Sequence, residues 1–193
     1  MTGRSHLFLE AMEAHNRYDN VTALRLMEAA AEQGDPVACF NAAFWHAGRE
    51  EGFPVDPQRC KFWLGKLEEL AEADNAEAQW ELGMHFRFGN LVGQNTEVAN
   101  SWLERAAGNE YGDAQHQLAW YLETGQYGYP IDLDASEAWY SRAFEQDHPE
   151  TLYLFAIRQF IDGRPTEEAL RLLRKAADKG FKQAGYVLHD YLH

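Results

Sequence analysis

Residues 78–107 read Ala78-Gln-Trp-Glu-Leu82-Gly83-Met-His-Phe86-Arg-Phe-Gly89, then Asn-Leu-Val92-Gly-Gln-Asn95-Thr-Glu-Val-Ala99-Asn-Ser-Trp102-Leu-Glu-Arg-Ala106-Ala107. Ala78, Leu82, Gly83 and Phe86 stand at offsets 0, +4, +5 and +8. At 100° per residue these share one face of a helix, and Gly89 supplies the left-handed residue that ends it. The same face recurs in Ala114-Gln-His-Gln-Leu118-Ala119-Trp-Tyr-Leu122-Glu-Thr-Gly125, with further copies from Ala38, Thr151 and Ala184. The second half of the stretch recurs as Ala135-Ser-Glu-Ala-Trp139-Tyr-Ser-Arg142-Ala143, which shares its Trp-x-x-Arg-Ala step, and Lys61-Phe-Trp63-Leu-Gly-Lys66 supplies a third tryptophan. Ala23-Leu-Arg-Leu-Met-Glu-Ala-Ala-Ala-Glu-Gln-Gly34 returns 146 residues later as Ala169-Leu-Arg-Leu-Leu-Arg-Lys-Ala-Ala-Asp-Lys-Gly180, four periods of about 36.

Small residues at Ala23, Cys60, Ala99, Ser136 and Ala169, spaced 37, 39, 37 and 33, mark one close helix approach per repeat. A period of this length is the signature of a solenoid, in which each unit buries its apolar face on its neighbours. The prediction is an all-α chain of eleven helices: five pairs, at about 7–35, 36–75, 76–112, 113–148 and 149–181, and a single last helix at 181–192. All of it, 1–193, reads as a single domain. Asp35-Pro36, Asp113 and His148-Pro149 open segments, and Gly34 and Gly180 close them. The loops within pairs are Gly48 to Pro57, Asn90 to Asn95 and Gly125 to Asp132, and the second repeat carries about one extra turn between Trp63 and Ala78.

Composition narrows the function. The chain has 193 residues, with 31 acidic and 17 basic side chains and a net charge of −14; at 46% hydrophobic and 13% aromatic it folds around a core. Such acidity, with no basic cluster beyond Arg171, Arg174 and Lys175, argues against nucleic acid or an anionic membrane as partner. No run approaches the roughly 18 apolar residues of a membrane span, and Met1 to Asn20 lacks the pattern of a secretory signal. Two cysteines, Cys39 and Cys60, are too few for a disulfide scaffold and are placed too far apart to bridge, so a cytoplasmic setting is expected.

The pattern A-x-x-x-L-G-x-x-[YF]-x-x-G followed by V-x-x-[DN]-x-x-x-A-x-x-W-x-x-[RK]-A-A resembles the Sel1-like repeat branch of the tetratricopeptide superfamily. Residues 78–107 carry it most fully, through Val92, Asn95, Ala99, Trp102 and Ala106-Ala107, and the likeness extends over about 7–192. The Gly-x-Gly loop of that family is degraded here to Gly89-Asn-Leu and Gly125-Gln-Tyr. The resemblance implies a right-handed α/α superhelix that scaffolds protein–protein contacts, performs no chemistry, and lines its concave side with the first helix of each pair.

On those first helices, offsets +2 and +6 lie at about 200° and 240°, against a core face centred near 60°. They hold Phe40 and Phe44, Trp80 and Met84, His116 and Trp120, Tyr153 and Ile157, then Tyr186 and Asp190. A solvated face would be mostly charged, whereas this one is aromatic, apolar or His in nine of ten positions. One reading is side-by-side packing of neighbouring first helices. The other is a groove for a partner segment, with Glu77, Glu81, Asp113, Glu123 and Glu150 as an acidic rim that favours a basic ligand. The last helix keeps Tyr186, Val187 and Tyr191 beside core Leu188 and Leu192, so it caps poorly or pairs with another chain as a homodimer contact.

Enzymatic constellations are missing. His6, His15, His46, His85, His116, His148, His189 and His193 form no H-E-x-x-H, H-x-H or His/Cys metal spacing, and His46 reads as a packed core ring. Glu50-Glu51, Glu68-Glu69 and Glu167-Glu168 read as solvated faces or first-turn charges. No phosphate-binding glycine loop or nucleophile elbow occurs. The expectation is therefore an adaptor or scaffold with no catalytic, cofactor or metal site; an acidic immunity or inhibitor protein that neutralises a basic toxin or effector is the alternative, and an enzyme the weaker third.

Overall fold

The computed structural model describes residues 5–161 and 163–192. Among these residues eleven helices follow one another: α1 (His6–Asn16), α2 (Asn20–Glu32), α3 (Pro36–His46), α4 (Pro57–Glu72), α5 (Ala76–Phe88), α6 (Thr96–Gly108), α7 (Gly112–Thr124), α8 (Leu133–Glu145), α9 (Pro149–Arg158), α10 (Glu167–Asp178) and α11 (Lys182–Leu192). Most N-termini are closed by a side chain that takes an orphan backbone N–H: Ser5, Asp19, Asp35, Asp56, Asn75, Asn95, Asp132, His148 and Thr166. Pro36, Pro57 and Pro149 follow their caps at the first helical position, where the missing N–H costs nothing. α4 has 16 residues where α2, α6 and α8 have 13, the extra turn expected of the second repeat.

The chain divides into two compact units, Met1–Asn109 and Glu110–His193. In the first, α1 packs on α2, α3 on α4 and α5 on α6; α2 also meets α3, α4 meets α5, and α3 touches α5. Its core is rich in alanine, with Met27, Trp45, Phe53, Trp63, Leu67 and Leu82 as its larger members. Small side chains let helix backbones approach: a Cβ on Gly83 would stand 3.3 Å from the carbonyl oxygen of Ala99 and 3.4 Å from the Leu103 nitrogen. In the second unit α7 pairs with α8, α9 with α10, and α11 lies on α10. Leu152, Ala156, Ala169, Leu172, Leu173, Ala176 and Ala184 form one core there, and Ser136 Oγ donates to the carbonyl of Ala119 at 2.9 Å. Ala23, Ala99, Ser136 and Ala169 of the small-residue series are buried; Cys60 is partly exposed.

Within three pairs the loop closes the same way. The N–H of the second helix's capping residue donates to the carbonyl at offset +8 of the first, Asp56 to His46 (2.9 Å), Asn95 to Phe86 (2.8 Å) and Asp132 to Leu122 (2.9 Å). The pair α9/α10 departs from this. There a two-residue antiparallel ribbon, β1 (Phe160–Ile161) against β2 (Arg164–Pro165), makes the connection, a feature the helical period does not encode. The opening of α7 is a second departure. Asp113 does not cap it: Tyr111 holds the capping position without a side-chain bond, and Asp113 sits in the first turn, drawn instead to His148.

Candidate partner-binding surface

The buried arc of the first helices is wider than four offsets. Besides 0, +4 and +5, offset +1 is buried (Cys39, Gln79, Gln115, Leu152), and at +7 Trp45, His85 and Tyr121 are buried where Phe86 and Leu122 at +8 are only half-buried. α5 shows why: it has second-helix neighbours on two sides, α4 and α6, so more than one face is covered. The residues at +2 and +6 are consequently neither core nor free. Phe40, Phe44, Trp80, Met84, His116, Trp120, Tyr153 and Ile157 are all half-buried, and only the two on the last helix stand out, Asp190 and Tyr186, the latter 69% exposed.

Within the first unit, the Phe40 ring stacks on His85 with centroids 3.3 Å apart and lies 5.8 Å from Phe44, so part of this stripe packs α3 against α5. In the second unit Tyr153 lies 5.1 Å from Phe181, and Trp120 lies 5.4 Å from Tyr121 on its own helix. His116 belongs to a polar chain. The Thr151 N–H approaches Nδ1 of His148 at 3.4 Å, so that nitrogen carries a lone pair and Nε2 holds the proton, donated to Asp113 at 2.9 Å. The Thr151 hydroxyl then donates to Nδ1 of His148 (3.1 Å) and accepts from Nδ1 of His116 (2.9 Å). Burial, together with the neighbouring His148, lowers the pKa of His116 to about 4, so the ring is neutral. The hydrogen bond from His148 holds the Asp113 carboxyl below its usual range against the opposing effect of burial.

Of the acids expected to rim the surface, Asp113 and Glu123 are engaged by hydrogen bonds within the protein, while Glu81 and Glu150 only lie near an imidazole nitrogen. Glu81 lies 3.4 Å from Nε2 of His85 with its side chain 17% exposed, and Glu150 lies 3.4 Å from Nε2 of His116. Glu123 accepts from the Tyr140 hydroxyl at 3.1 Å and lies 3.6 Å from Arg158, while Asp113 holds His148. Glu77 is half-buried in the first turn of α5. Burial raises the Tyr140 pKa, and Glu123 adds to the shift.

A second polar centre lies in the first unit. One oxygen of Glu28 accepts from Nε2 of His46 (2.9 Å), Nε and Nη2 of Arg59 (3.1 and 2.6 Å) and Nε1 of Trp63 (3.1 Å), tying α2 to α3 and α4. Burial raises this carboxyl's pKa, but the bonds from His46, Trp63 and Arg59 together outweigh it and leave it lowered. His46 is thus the packed, hydrogen-bonded ring expected of its position. Glu28, Gln79 and Gln115 escaped the sequence reading. Their partners lie on other elements of the fold; for Gln79 and Gln115 the sequence signal was a glutamine recurring at offset +1, and Glu28 carried none.

Among the described residues no group of His, Cys, Asp or Glu is arranged to hold a metal, and no helix is long and apolar enough to cross a membrane. Both cysteines are free thiols. Burial pushes the Cys39 thiol up to about 12, far from a reactive thiolate, and its sulfur donates to the carbonyl of Ala31 at 3.7 Å.

The family model of the Sel1 repeat matches residues 16–35, 36–70, 76–110, 112–148 and 164–181. An uncharacterized protein of Neisseria meningitidis serogroup B is 29% identical over 174 residues, which cover 88% of this chain but 34% of that protein, so the chain spans about a third of its relative. A Sel1 repeat protein from Oxalobacter formigenes superposes with a TM-score of 0.56 at 28% identity, covering 66% of this chain and 98% of that one. An immunity protein of Pseudomonas aeruginosa shares the fold at 18% identity, with a TM-score of 0.55 over 84% of this chain and 59% of that one.

Proposed function

The chain belongs to the Sel1 repeat family, whose members typically mediate protein–protein interaction, and from that premise we propose that it is a non-enzymatic adaptor whose first helices hold a segment of a partner protein. One observation carries this reading: at offsets +2 and +6 the aromatic and apolar side chains of both units remain half-exposed, and aromatics with methionine are the side chains enriched in interface cores. In the first unit the contact residues are Trp80 and Met84 beside Phe40 and Phe44; in the second they are Trp120, Tyr153 and Ile157, with His116 at the edge and Tyr186 on α11. Glu77 and Glu81 stand on α5 of the first unit, Asp113, Glu123 and Glu150 on α7 and α9 of the second, and the net charge of −14 favours a basic or apolar partner over nucleic acid. Free thiols agree with a cytoplasmic setting as part of the same proposal.

The test is affinity capture of a partner with wild type beside a Trp80→Ala/Trp120→Ala variant, after circular dichroism has verified the helicity of both. Capture by wild type and loss by the variant is the expected result; equal capture removes the stripe from the site. Binding should also weaken in about 0.5 M salt, where the Debye length falls to a few ångströms.

A second reading, favoured by the acidity and by a fold also used for an immunity protein, is an inhibitor that neutralises a basic toxin or effector. Affinity separates the two. An inhibitor of a lethal enzyme needs a Kd on the order of nanomolar or below, whereas an adaptor holding a short segment works at about micromolar. A homodimer through α11 would show as a doubled mass in light scattering.

A further inference from the structure

The loop between α7 and α8 is a closely held turn. The bond from the Asp132 N–H to the Leu122 carbonyl closes it at 2.9 Å, and within it the Tyr129 N–H donates to the carbonyl of Gln126 at 3.1 Å. A Cβ on Gly125, whose φ is +70°, would stand 2.9 Å from Cγ1 of Ile131, so the aliphatic side chain rests directly on the glycine. Tyr127 takes a φ of 53°, costly for a residue other than glycine, and its ring centroid comes within 4.7 Å of that of Tyr121. In the first unit Phe53 covers Trp45, also at offset +7, at 4.2 Å; but Phe53 is 7% exposed where Tyr127 is 38% exposed.

The turn presents apolar side chains to solvent. Ile131 and Leu133, on either side of the capping Asp132, are 67% and 64% exposed, and Pro130 is exposed before them. The α5–α6 loop closes by the same bond with Gln94 and Thr96 in those places, so the turn itself does not require apolar residues there. Exposed aliphatic residues beside a partly exposed tyrosine, on a backbone with little freedom left to lose, have the make-up of an interface anchor.

Charge selects the occupant. Between Arg105 and Arg142 no Lys or Arg occurs, while Glu123, Asp132, Asp134 and Glu137 stand on or beside the loop. Arg158 meets Glu123 and Glu137; among the described residues Asp132 and Asp134, the sequence neighbours of Leu133, have no Lys or Arg partner. An apolar patch set in uncompensated negative charge disfavours both an acidic partner and a second copy of the same patch. It favours aliphatic side chains flanked by Lys or Arg.

We propose that the α7–α8 loop docks a segment of a basic partner protein, with aliphatic side chains on Tyr127, Ile131 and Leu133 and Lys or Arg toward Asp132 and Asp134. The inference rests on the reading of the chain as a protein-binding module, and it adds a contact outside the stripe of the first helices.

The probe is the peptide acetyl-Lys-Leu-Arg-Ile-Lys-Leu-amide, titrated into the ¹⁵N-labelled protein and followed by NMR. Saturable shifts are expected at the backbone amides of Gln126, Tyr127, Gly128, Ile131 and Leu133. Acetyl-Glu-Leu-Glu-Ile-Glu-Leu-amide should not bind, and acetyl-Lys-Ser-Arg-Thr-Lys-Ser-amide should bind about tenfold more weakly or worse. Ile131→Ser/Leu133→Ser, at side chains that reach solvent, should weaken the basic apolar peptide by about tenfold while leaving the rest of the spectrum unchanged. No saturable shift at the loop, equal binding of either control peptide, or an unchanged affinity in the double variant would each overturn the proposal. So would shifts of these amides on concentrating the free protein, which would assign the patch to a second copy. No partner protein is needed, the substituted residues lie outside the stripe, and Trp80→Ala should retain the peptide response, so failure of the loop and failure of the stripe are read separately.

Discussion

In the first unit a carboxylate gathers the polar network; in the second a hydroxyl does so between two imidazoles. Glu28 collects N–H donors from His46, Arg59 and Trp63, and the permanent charge of Arg59 compensates its own. Thr151, 0% exposed, joins His116 to the His148–Asp113 pair with no arginine in the chain of bonds. The first network ties α2 to α3 and α4 and the second ties α7 to the start of α9, contacts that small apolar side chains alone would hold with little directionality. They differ in what disturbs them: a carboxylate held by an arginine withstands mild acid, whereas a neutral buried imidazole is a proton acceptor waiting for the unfolded chain to expose it.

The strongest way to break this comparison is to remove its centre in the first unit. Glu28→Ala strands the His46 and Trp63 N–H groups and leaves Arg59 unpaired, and should destabilise the first unit by about 3–4 kcal/mol. Amide hydrogen exchange in denaturant, read separately for residues before and after Asn109, should show the loss confined to the first unit; a loss below about 1 kcal/mol would mean that the hub is ornamental.

Acid should separate the units next. His116 has a folded pKa of about 4 against the 6.5 of a free imidazole side chain, so the unfolded chain takes up the proton first as pH falls. The stability this neutral ring confers is complete above pH 6.5 and is lost as pH drops towards 4, on the order of 3 kcal/mol in all. Glu28, its pKa lowered from 4.5, keeps its contribution across most of that window and loses it only as pH falls through the folded value. His116→Asn, which keeps a donor near Thr151 but cannot titrate, should flatten the decline in urea midpoint between pH 6.5 and 4. An unchanged slope would assign the acid response to other groups.

Thr151→Val comes third, at about 2 kcal/mol. It removes both the donor to His148 and the acceptor for His116 with little change of shape, and its effect should shrink in a His116→Asn background because the two residues share one network. The smallest effect concerns the turns that join one pair to the next. Gly34 and Gly180 take positive φ there without strain, whereas Asp74, Glu110 and Asp147 take it with a side chain. Asp74 is compensated by bonds from Arg105, Asn109 and Gln79, so Glu110, exposed and at φ 63°, is the better test. Glu110→Gly should raise stability by up to about 1 kcal/mol, measured by thermal melting.

The helices were legible because their information is local. The Ala/Leu/Gly spacing of Ala78–Phe86, the capping Asp35 and the prolines at Pro36 and Pro149 act within about two turns of the residue concerned, and the structure places α3, α5 and α9 on them. Asp113 misled for the same reason: it has the chemistry of a cap, but His148, 35 residues away, competes for its oxygen and wins. The Phe160–Pro165 ribbon was illegible because a two-residue ladder has no period to detect.

Local pattern thus determined the repeat, the helix pairs, the close-approach positions such as Ala99 and Ser136, and the absence of familiar catalytic motifs. Only tertiary structure decided that Phe40 stacks on His85, that Glu28 and Thr151 anchor polar networks, and that Asp113 and Glu123 are held by His148 and Tyr140. The physical reason is range. A helix face depends on neighbours within eight residues, whereas a buried polar atom takes its partner from whichever helix packing brings within 3 Å, and one aromatic stripe reads alike whether a neighbour covers it or solvent does.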